Sequence, residues 1–338
     1  MNILFLTRLF YPHIGGVEKH VLEVGKRLVK DGHNVTVITE NHGYKGTETI
    51  EGMQIVRIPV GKSEKLKKFA IWSWLQKNKY LIDEADIVHC HDVFFWYLPF
   101  KALLPKKPVY IKFHGYETVF PPQMSAKINR KLAENLTLGN ICVGDFIAPW
   151  YETKPTFVTY GGVEIEKIKL KTKHKTPRIV FIGRGTKDNG IHVYLQALEI
   201  FKEHKINFTF EVYGDTPYKK EIETFGKVYG FVEDIQAVLA QSTLVFASSY
   251  LSIFDAFAQK KPVFAVYTNP LKRDYLEMSP FAKFITMTDN PHTLAQEIKK
   301  TIENTMYKID NITHEYEWVQ NQTWDKVKEL YSALWKIE

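Results

Sequence analysis

The sequence predicts an α/β protein made of two parallel-sheet halves, and three observations carry that expectation. Apolar runs of strand length alternate with amphipathic helical stretches. A polar stretch at 171–177 (KTKHKTP) has no apolar period and separates two such series. At 338 residues the chain is long for one core and suits two domains.

The elements follow in order. Residues 2–7 (NILFLT) are nearly all apolar, as a strand covered on both faces must be. From Val17, apolar residues recur at Val21, Leu28 and Val29, a helical rhythm that stops at Gly32. Further strands are expected at 34–39, 54–58, 87–90, 109–114 and 140–143, with helices near 17–31, 66–84 and 123–138. The second series places strands at 178–183, 208–213, 227–231, 243–247 and 262–266, and helices at 190–203, 234–241 and 252–260. Both halves read as Rossmann-like. Such sheets bind ligands beyond the carboxyl ends of their strands, so two facing halves imply a cleft. Residues 318–335 carry Trp324, Val327, Leu330, Tyr331, Leu334 and Trp335 at helical spacing, as a C-terminal helix crossing back over the domain junction requires. The expected divisions are therefore 1–165, 166–315 and 316–338.

Composition narrows the class. With 45% hydrophobic and 25% charged residues the chain reads as an ordinary globular protein. No uncharged apolar run reaches the ~20 residues of a membrane span, and no signal-peptide pattern opens the chain, so a cytoplasmic setting is expected. Cys90 and Cys142, each in a strand-like segment, do not suggest a disulfide scaffold. A net charge of +7 permits anionic partners, including nucleotide sugars and membrane surfaces. No helix-turn-helix, RNA-recognition or zinc-finger pattern occurs, so no nucleic-acid partner is expected.

Several local patterns carry chemistry. Between the first strand and helix lies Tyr11-Pro12-His13-Ile14-Gly15-Gly16-Val17-Glu18. Gly15 and Gly16 at a helix start let an anionic or sugar ligand reach backbone amides, although a tight turn explains them equally well. Gly183-Arg184-Gly185 follows a strand in the same way, and Gly190 opens a helix. In His89-Cys90-His91-Asp92 the two histidines share one strand face, and without a further Cys/His cluster packing is favoured over a metal site. Ser252-x-x-Asp255 reads as a capping box.

Taken together, YPHIGGVEKHV, KDGHNVTVIT, IVHCHD, FHGYE, VTYGGVE, FIGRGTKDNGI, EVYGD, GFVEDI and SSYLSIFDAFAQKKPVFAV occur in an order that resembles the retaining GT-B glycosyltransferases of family 4. The resemblance implies two Rossmann-like domains, the C-terminal one holding a nucleotide-sugar donor and the N-terminal one a hydroxyl acceptor, closing around the donor. It implies a hexose moved to a glycolipid, polysaccharide or glycan without metal or cofactor, the nucleoside-diphosphate sugar being a co-substrate. Gly15, Gly16 and Arg184 then match donor-phosphate positions. The family's lysine five residues later is replaced by Asn189, leaving Lys187 or Lys272 to supply charge, although both read as solvated. Asp255 matches the acid that binds the ribose, and Ala247 stands where a second family acid is expected. Ser248, Ser249, Leu251 and Ser252 are the resemblance's substitutes for that loop, with Phe231 at the base and capping alone as the rival role for Asp255. Phe231 is equally readable as a core residue. His114 matches a histidine facing donor sugar and acceptor, against the alternative of a strand-end histidine without a role. Glu117 fixes its loop or touches the acceptor. The basic aromatic stretch 62–79, with Lys65, Lys67, Lys68, Phe69, Trp72, Trp74 and Leu75, resembles segments that dock relatives to the inner membrane face, but it also suits a helix packed on the sheet. A degenerate nucleotide-sugar binder, or partner subunit of a transferase, is the alternative that Ala247 and Asn189 motivate. A dehydrogenase is disfavoured because no G-x-G-x-x-G follows the opening strand.

Overall fold

A computed structural model describes residues 1–61, 64–117, 119–165, 176–305 and 313–337. The chain forms two compact units, Met1–Thr159 with Trp324–Glu338, and Tyr160–Thr323. Most of the polar stretch at 171–177, and Lys62 and the Lys65 side chain of the basic segment, lie outside the described residues.

The first unit runs β1 (Asn2–Thr7), α1 (Gly16–Lys30), β2 (Asn34–Asn41), β3 (Thr47–Ile50), β4 (Met53–Pro59), α2 (Glu64–Lys77), α3 (Tyr80–Asp83), β5 (Ile87–His91), α4 (Phe94–Leu103), β6 (Val109–Phe113), α5 (Met124–Leu136), β7 (Asn140–Val143), α6 (Ile147–Tyr151) and β8 (Phe157–Thr159). Among the described residues its sheet has the order β3-β4-β2-β1-β5-β6-β7-β8. The β3–β4 pairing is antiparallel and the others are parallel. β5 and β6 are buried at every position, which their near-continuous apolar runs require. Strand order reverses between β1 and β5, so this unit's ligand crevice is expected beyond their carboxyl ends.

The second unit runs β9 (Arg178–Ile182), α7 (Ile191–Glu203), β10 (Thr209–Tyr213), α8 (Lys219–Glu223), β11 (Lys227–Gly230), α9 (Ile235–Ala240), β12 (Leu244–Phe246), α10 (Tyr250–Ala258), β13 (Val263–Val266), α11 (Pro270–Glu277), β14 (Thr286–Thr288), α12 (Pro291–Thr305) and α13 (Thr313–Val319). Its sheet, β11-β10-β9-β12-β13-β14, is parallel throughout. The reversal falls between β9 and β12. Phe181, Tyr194, Phe201, Phe210 and Phe246 anchor its core, with Tyr194 stacked on Phe246 at 4.4 Å between centroids.

The C-terminal stretch differs from expectation. It forms two helices rather than one, α13 and α14 (Trp324–Trp335), broken at 320–323. Trp318 of α13 packs on Phe254 and Phe281 in the second unit, with centroids 5.3 Å away in each case. α14 belongs to the first unit, where it buries Trp324, Val327, Tyr331, Leu334 and Trp335 beside α1. The segment expected at 66–84 also divides, into α2 and α3. On α2, Ile71 and Leu75 are buried, Lys67 is paired with Glu40 at 2.6 Å, and Leu66 and Phe69 stay exposed.

Candidate functional site

In the second unit the strand-order reversal gathers most of the residues expected to bind a donor. Gly183 follows β9 with φ of +124°, a conformation that favours glycine. A Cβ at Gly214 would lie 2.1 Å from the Gly183 carbonyl oxygen, so two glycines let these strand ends meet. A Cβ at Gly183 would lie 3.6 Å from Ser252 Oγ and 3.7 Å from Ser249 Oγ, which places the β9 exit against the start of α10. Ser249 is the N-cap of α10, and its Oγ meets Ser252 Oγ at 3.3 Å. The amides of Leu251 and Ser252 fall in the first turn, where a helix cannot satisfy its own donors.

Arg184 is exposed on the following loop, and its carbonyl accepts from Asn189 Nδ2 at 2.9 Å. Asn189 Oδ1 in turn accepts from Lys272 Nζ at 3.2 Å. Lys272 is 2% exposed, which corrects the expectation of a solvated side chain. Lys187 is exposed as expected.

Three other expectations change. Asp255 does not complete a capping box with Ser252, because α10 begins at Tyr250 and Ser252 already lies inside it. Asp255 is buried one turn further on, where its Oδ1 accepts from Gln236 Nε2 at 3.1 Å. Ser248 is committed to the fold, its Oγ lying 2.8 Å from the Tyr194 hydroxyl and accepting from Val266 N at 3.0 Å. Phe231 is not a core residue. It is 48% exposed beyond the carboxyl end of β11.

In the first unit Gly16 begins α1 and Gly15 is its N-cap, but the space that Gly15 leaves is taken by Glu18. A Cβ at Gly15 would lie 2.3 Å from Glu18 Oε2, and Glu18 Oε1 is 3.1 Å from His13 Nδ1. A carboxylate therefore already sits at this helix start. The phosphate role expected for Gly15 and Gly16 is disfavoured by like charge.

His114 follows β6 and closes a cluster of bases under α1 and α14. His91 Nδ1 is 2.8 Å from His114 Nε2, and His114 N donates to Asp92 Oδ1 at 3.1 Å. His20 Nε2 lies 2.9 Å from the Tyr331 hydroxyl, and Trp335 Nε1 donates to His89 Nδ1 at 3.1 Å. Because tryptophan only donates, the neutral His89 carries its proton on Nε2. His91 Nε2 is buried with no partner, so the tautomer that spares a second orphaned N–H has His91 Nδ1–H donating to His114 Nε2. His114 then presents its proton on Nδ1. Burial, followed by the charges of neighbouring bases, holds His20, His91, His89 and His114 well below the ordinary histidine range. Among the described residues no group of three or more His, Cys, Asp or Glu side chains is arranged to hold a metal ion. Both cysteines are free and buried.

Glu117 is a loop clamp. Its Oε1 accepts from Arg130 Nη2 at 3.0 Å and its Oε2 from the Tyr151 hydroxyl at 2.6 Å. The Arg130 guanidinium stacks 3.9 Å over the Tyr151 ring and also bonds the Gly115 carbonyl.

Lys112 belongs to this cluster and had no place among the expected site residues. It is fully buried, its Nζ has no hydrogen-bond partner, and it sits 5.3 Å from the Tyr331 ring centroid. Its signal was a lone lysine two residues before His114 in an otherwise apolar strand, hence on the same face. Burial lowers its basicity well below that of an ordinary lysine. Lys112→Met is expected to raise the melting temperature at pH 7 by several degrees, because it removes an unsatisfied buried amine worth about 1–3 kcal/mol. Burial lowers the basicity in the fold, so the unfolded chain binds a proton here more readily than the folded one, and the gain should shrink as pH rises toward the ordinary lysine pKa. Melting curves at pH 7 and pH 10 check both parts.

Residues 14–167 match the family model described as Glycosyltransferase Family 4, and residues 176–304 match Glycosyl transferases group 1. A human protein named as a subunit of phosphatidylinositol N-acetylglucosaminyltransferase is 21% identical over 287 residues, covering 75% of this chain and 58% of its own length. The Xanthomonas campestris GDP-mannose:cellobiosyl-diphosphopolyprenol alpha-mannosyltransferase is 23% identical over 227 residues, covering 59% of this chain and 56% of its own. The chain thus spans little more than half the length of these two relatives. A solved glycosyltransferase from Rickettsia africae shares the fold at a TM-score of 0.72, with 19% identity over 100% of this chain and 99% of that one.

Proposed function

We propose, because the chain belongs to the glycosyltransferases of the GT-B fold, that it is a retaining, metal-independent family 4 enzyme moving a hexose from a nucleoside diphosphate to a hydroxyl acceptor. The observation that carries this reading is the convergence of Arg184, the Ser249–Ser252 turn and the Asn189–Lys272 pair at the strand-order reversal of the second unit. Arg184 and the first-turn amides of α10 receive the diphosphate. Asp255 takes the ribose hydroxyls with its carboxylate held by Gln236, and Phe231 lies along the base. The acceptor oxygen bonds to the anomeric carbon as the glycosyl–phosphate bond breaks, and the acceptor's proton passes to the departing diphosphate on the same face. His114 donates from Nδ1 to the reacting sugar, so it positions and stabilises rather than removes a proton.

The acceptor is lipid-linked in this reading. The two curated relatives above are named for phosphatidylinositol and a diphosphopolyprenol. Leu66, Phe69 and Phe95 are exposed on α2 and α4, with Lys68 over the Phe69 ring. These side chains would touch the cytoplasmic membrane face. Among the described residues no helix is long and apolar enough to cross a membrane. Thermal-shift screening against UDP-, GDP- and ADP-sugars tests the donor: one of the three should raise the melting temperature, and no response to any would contradict the reading.

A nucleotide-sugar binder without turnover is the second reading, favoured by the fully buried Ala247 at the β12 exit where an acid is expected. Slow donor hydrolysis that disappears in His114→Ala supports the enzyme. Tight donor binding with no hydrolysis or transfer over a broad acceptor panel supports the binder.

A further inference from the structure

We propose that Lys272 is the second cation of the diphosphate site, gripping the donor from α11 opposite Arg184. The inference rests on the nucleotide-sugar reading above and adds a residue to it. Lys272 lies in the first turn of α11, where its amide donates to the Asn269 N-cap at 2.8 Å. Its side chain runs inward. The ammonium reaches Asn189 at 3.2 Å and stands 4.3 Å from the Tyr275 ring centroid. Asn189 holds the Arg184 carbonyl with its other arm at 2.9 Å, so one amide ties this lysine to the arginine loop. β12 lies between β9 and β13 in the sheet. The Asn189–Lys272 bond therefore joins the segment after β9 to the helix after β13, across the strand whose exit leads into α10.

A second buried lysine in the same unit gives the contrast. Lys261 Nζ donates to two backbone carbonyls, Ala240 O at 2.8 Å and Ser242 O at 2.7 Å, as a lysine that serves packing should. Lys272 has Asn189 and Tyr275 among its partners, side chains that border the candidate site. Asp188 already offsets the nearby arginine, and an arriving diphosphate would bring further negative charge to both cations. Burial draws the Lys272 ammonium down to about 8, with Asp188 opposing the fall and Arg184 adding to it. Tyr275 on its own helix is stacked on Tyr250, and burial pushes the Tyr275 phenol up. Lysine stays charged at neutral pH and binds phosphate as a point charge, which suits a site already supplied with a planar guanidinium.

The test titrates wild type, Lys272→Met and the double variant Lys272→Met/Asn189→Lys with UDP, GDP and ADP by calorimetry, and with the matching nucleosides by NMR. Methionine keeps the length and burial of the stem, and a melting curve confirms the fold. Lys272→Met is expected to bind the preferred diphosphate about 10- to 100-fold more weakly with nucleoside affinity unchanged, the span of one charge-assisted hydrogen bond. Asn189→Lys, placing an ammonium at the residue Lys272 now contacts, should restore most of the loss. Unchanged diphosphate affinity in Lys272→Met overturns the inference alone, as does an equal loss for nucleoside and diphosphate. A wild-type protein that binds none of the three diphosphates overturns the functional reading itself.

Discussion

His114→Ala is expected to slow glycosyl transfer by about 100- to 1,000-fold, the effect of removing one preorganised hydrogen-bond donor from a reacting centre. The affinity for nucleoside diphosphate should stay within about twofold, because His114 lies in the first unit and the residues proposed to hold the diphosphate lie in the second. The imidazole is fixed twice, through its ring by His91 at 2.8 Å and through its amide by Asp92 at 3.1 Å. Burial first, and then the charges of His91 and Lys112, hold its basicity well below the ordinary histidine range, which favours the neutral ring that the proposed donor role uses. His91→Leu should therefore reduce turnover as well, by less than His114→Ala, since it frees the His114 tautomer without removing the donor. Steady-state kinetics with the identified donor, set beside calorimetric binding, checks both variants. Transfer by His114→Ala at the wild-type rate would remove His114 from the site.

The protein should lose stability steeply below about pH 6.5. His20, His89 and His91 are almost wholly buried and their basicity is depressed, chiefly by burial. The sign follows from proton counting. Above the unfolded histidine pKa neither state is protonated and the three residues add no pH dependence. Below it the unfolded chain binds protons that the folded one refuses, so stability falls as pH falls. Each such histidine contributes about 1.4 kcal/mol per pH unit, and the three together about 4 kcal/mol per pH unit until the fold gives way. His89→Leu should flatten the curve by about one third of that slope. Denaturant melts between pH 7 and pH 5 measure the slopes, and equal slopes for variant and wild type would mean that these histidines titrate in the fold as they do outside it.

How much of this was legible in the sequence depends on period and on distance along the chain. The buried strands announced themselves as apolar runs, and α1 and α7 as helices by their spacing and flanking glycines. β8 and β14, of three residues each, are too short to show a period. α4 (FFWYLPFKAL) is nearly all apolar and carries Pro99 inside, which hides its rhythm. α11 did carry a start signal, Asn269 before Pro270.

At the site, the positions of Arg184 and His114 just past strand ends, and of Asn189 just before α7, were legible because a strand followed by a glycine-rich turn is a local pattern. Several features hidden from the sequence turn on partners far off along the chain. Ser248 meets Tyr194, 54 residues away, and Lys272 meets Asn189, 83 residues away. The Tyr331 that faces His20 lies 311 residues from it. Nothing near Lys272 distinguishes it from a solvated lysine. Only the fold shows that it points inward.

The central claim is that the strand-order reversal of the second unit holds a nucleoside diphosphate sugar against Arg184. Calorimetric titration of wild type and Arg184→Ala with the three nucleotide sugars tests it most directly. One donor should bind wild type and lose about tenfold or more in Arg184→Ala, as removal of a charge-assisted contact to phosphate requires. Binding of equal strength in the two proteins, or no binding of any donor to wild type, would contradict it.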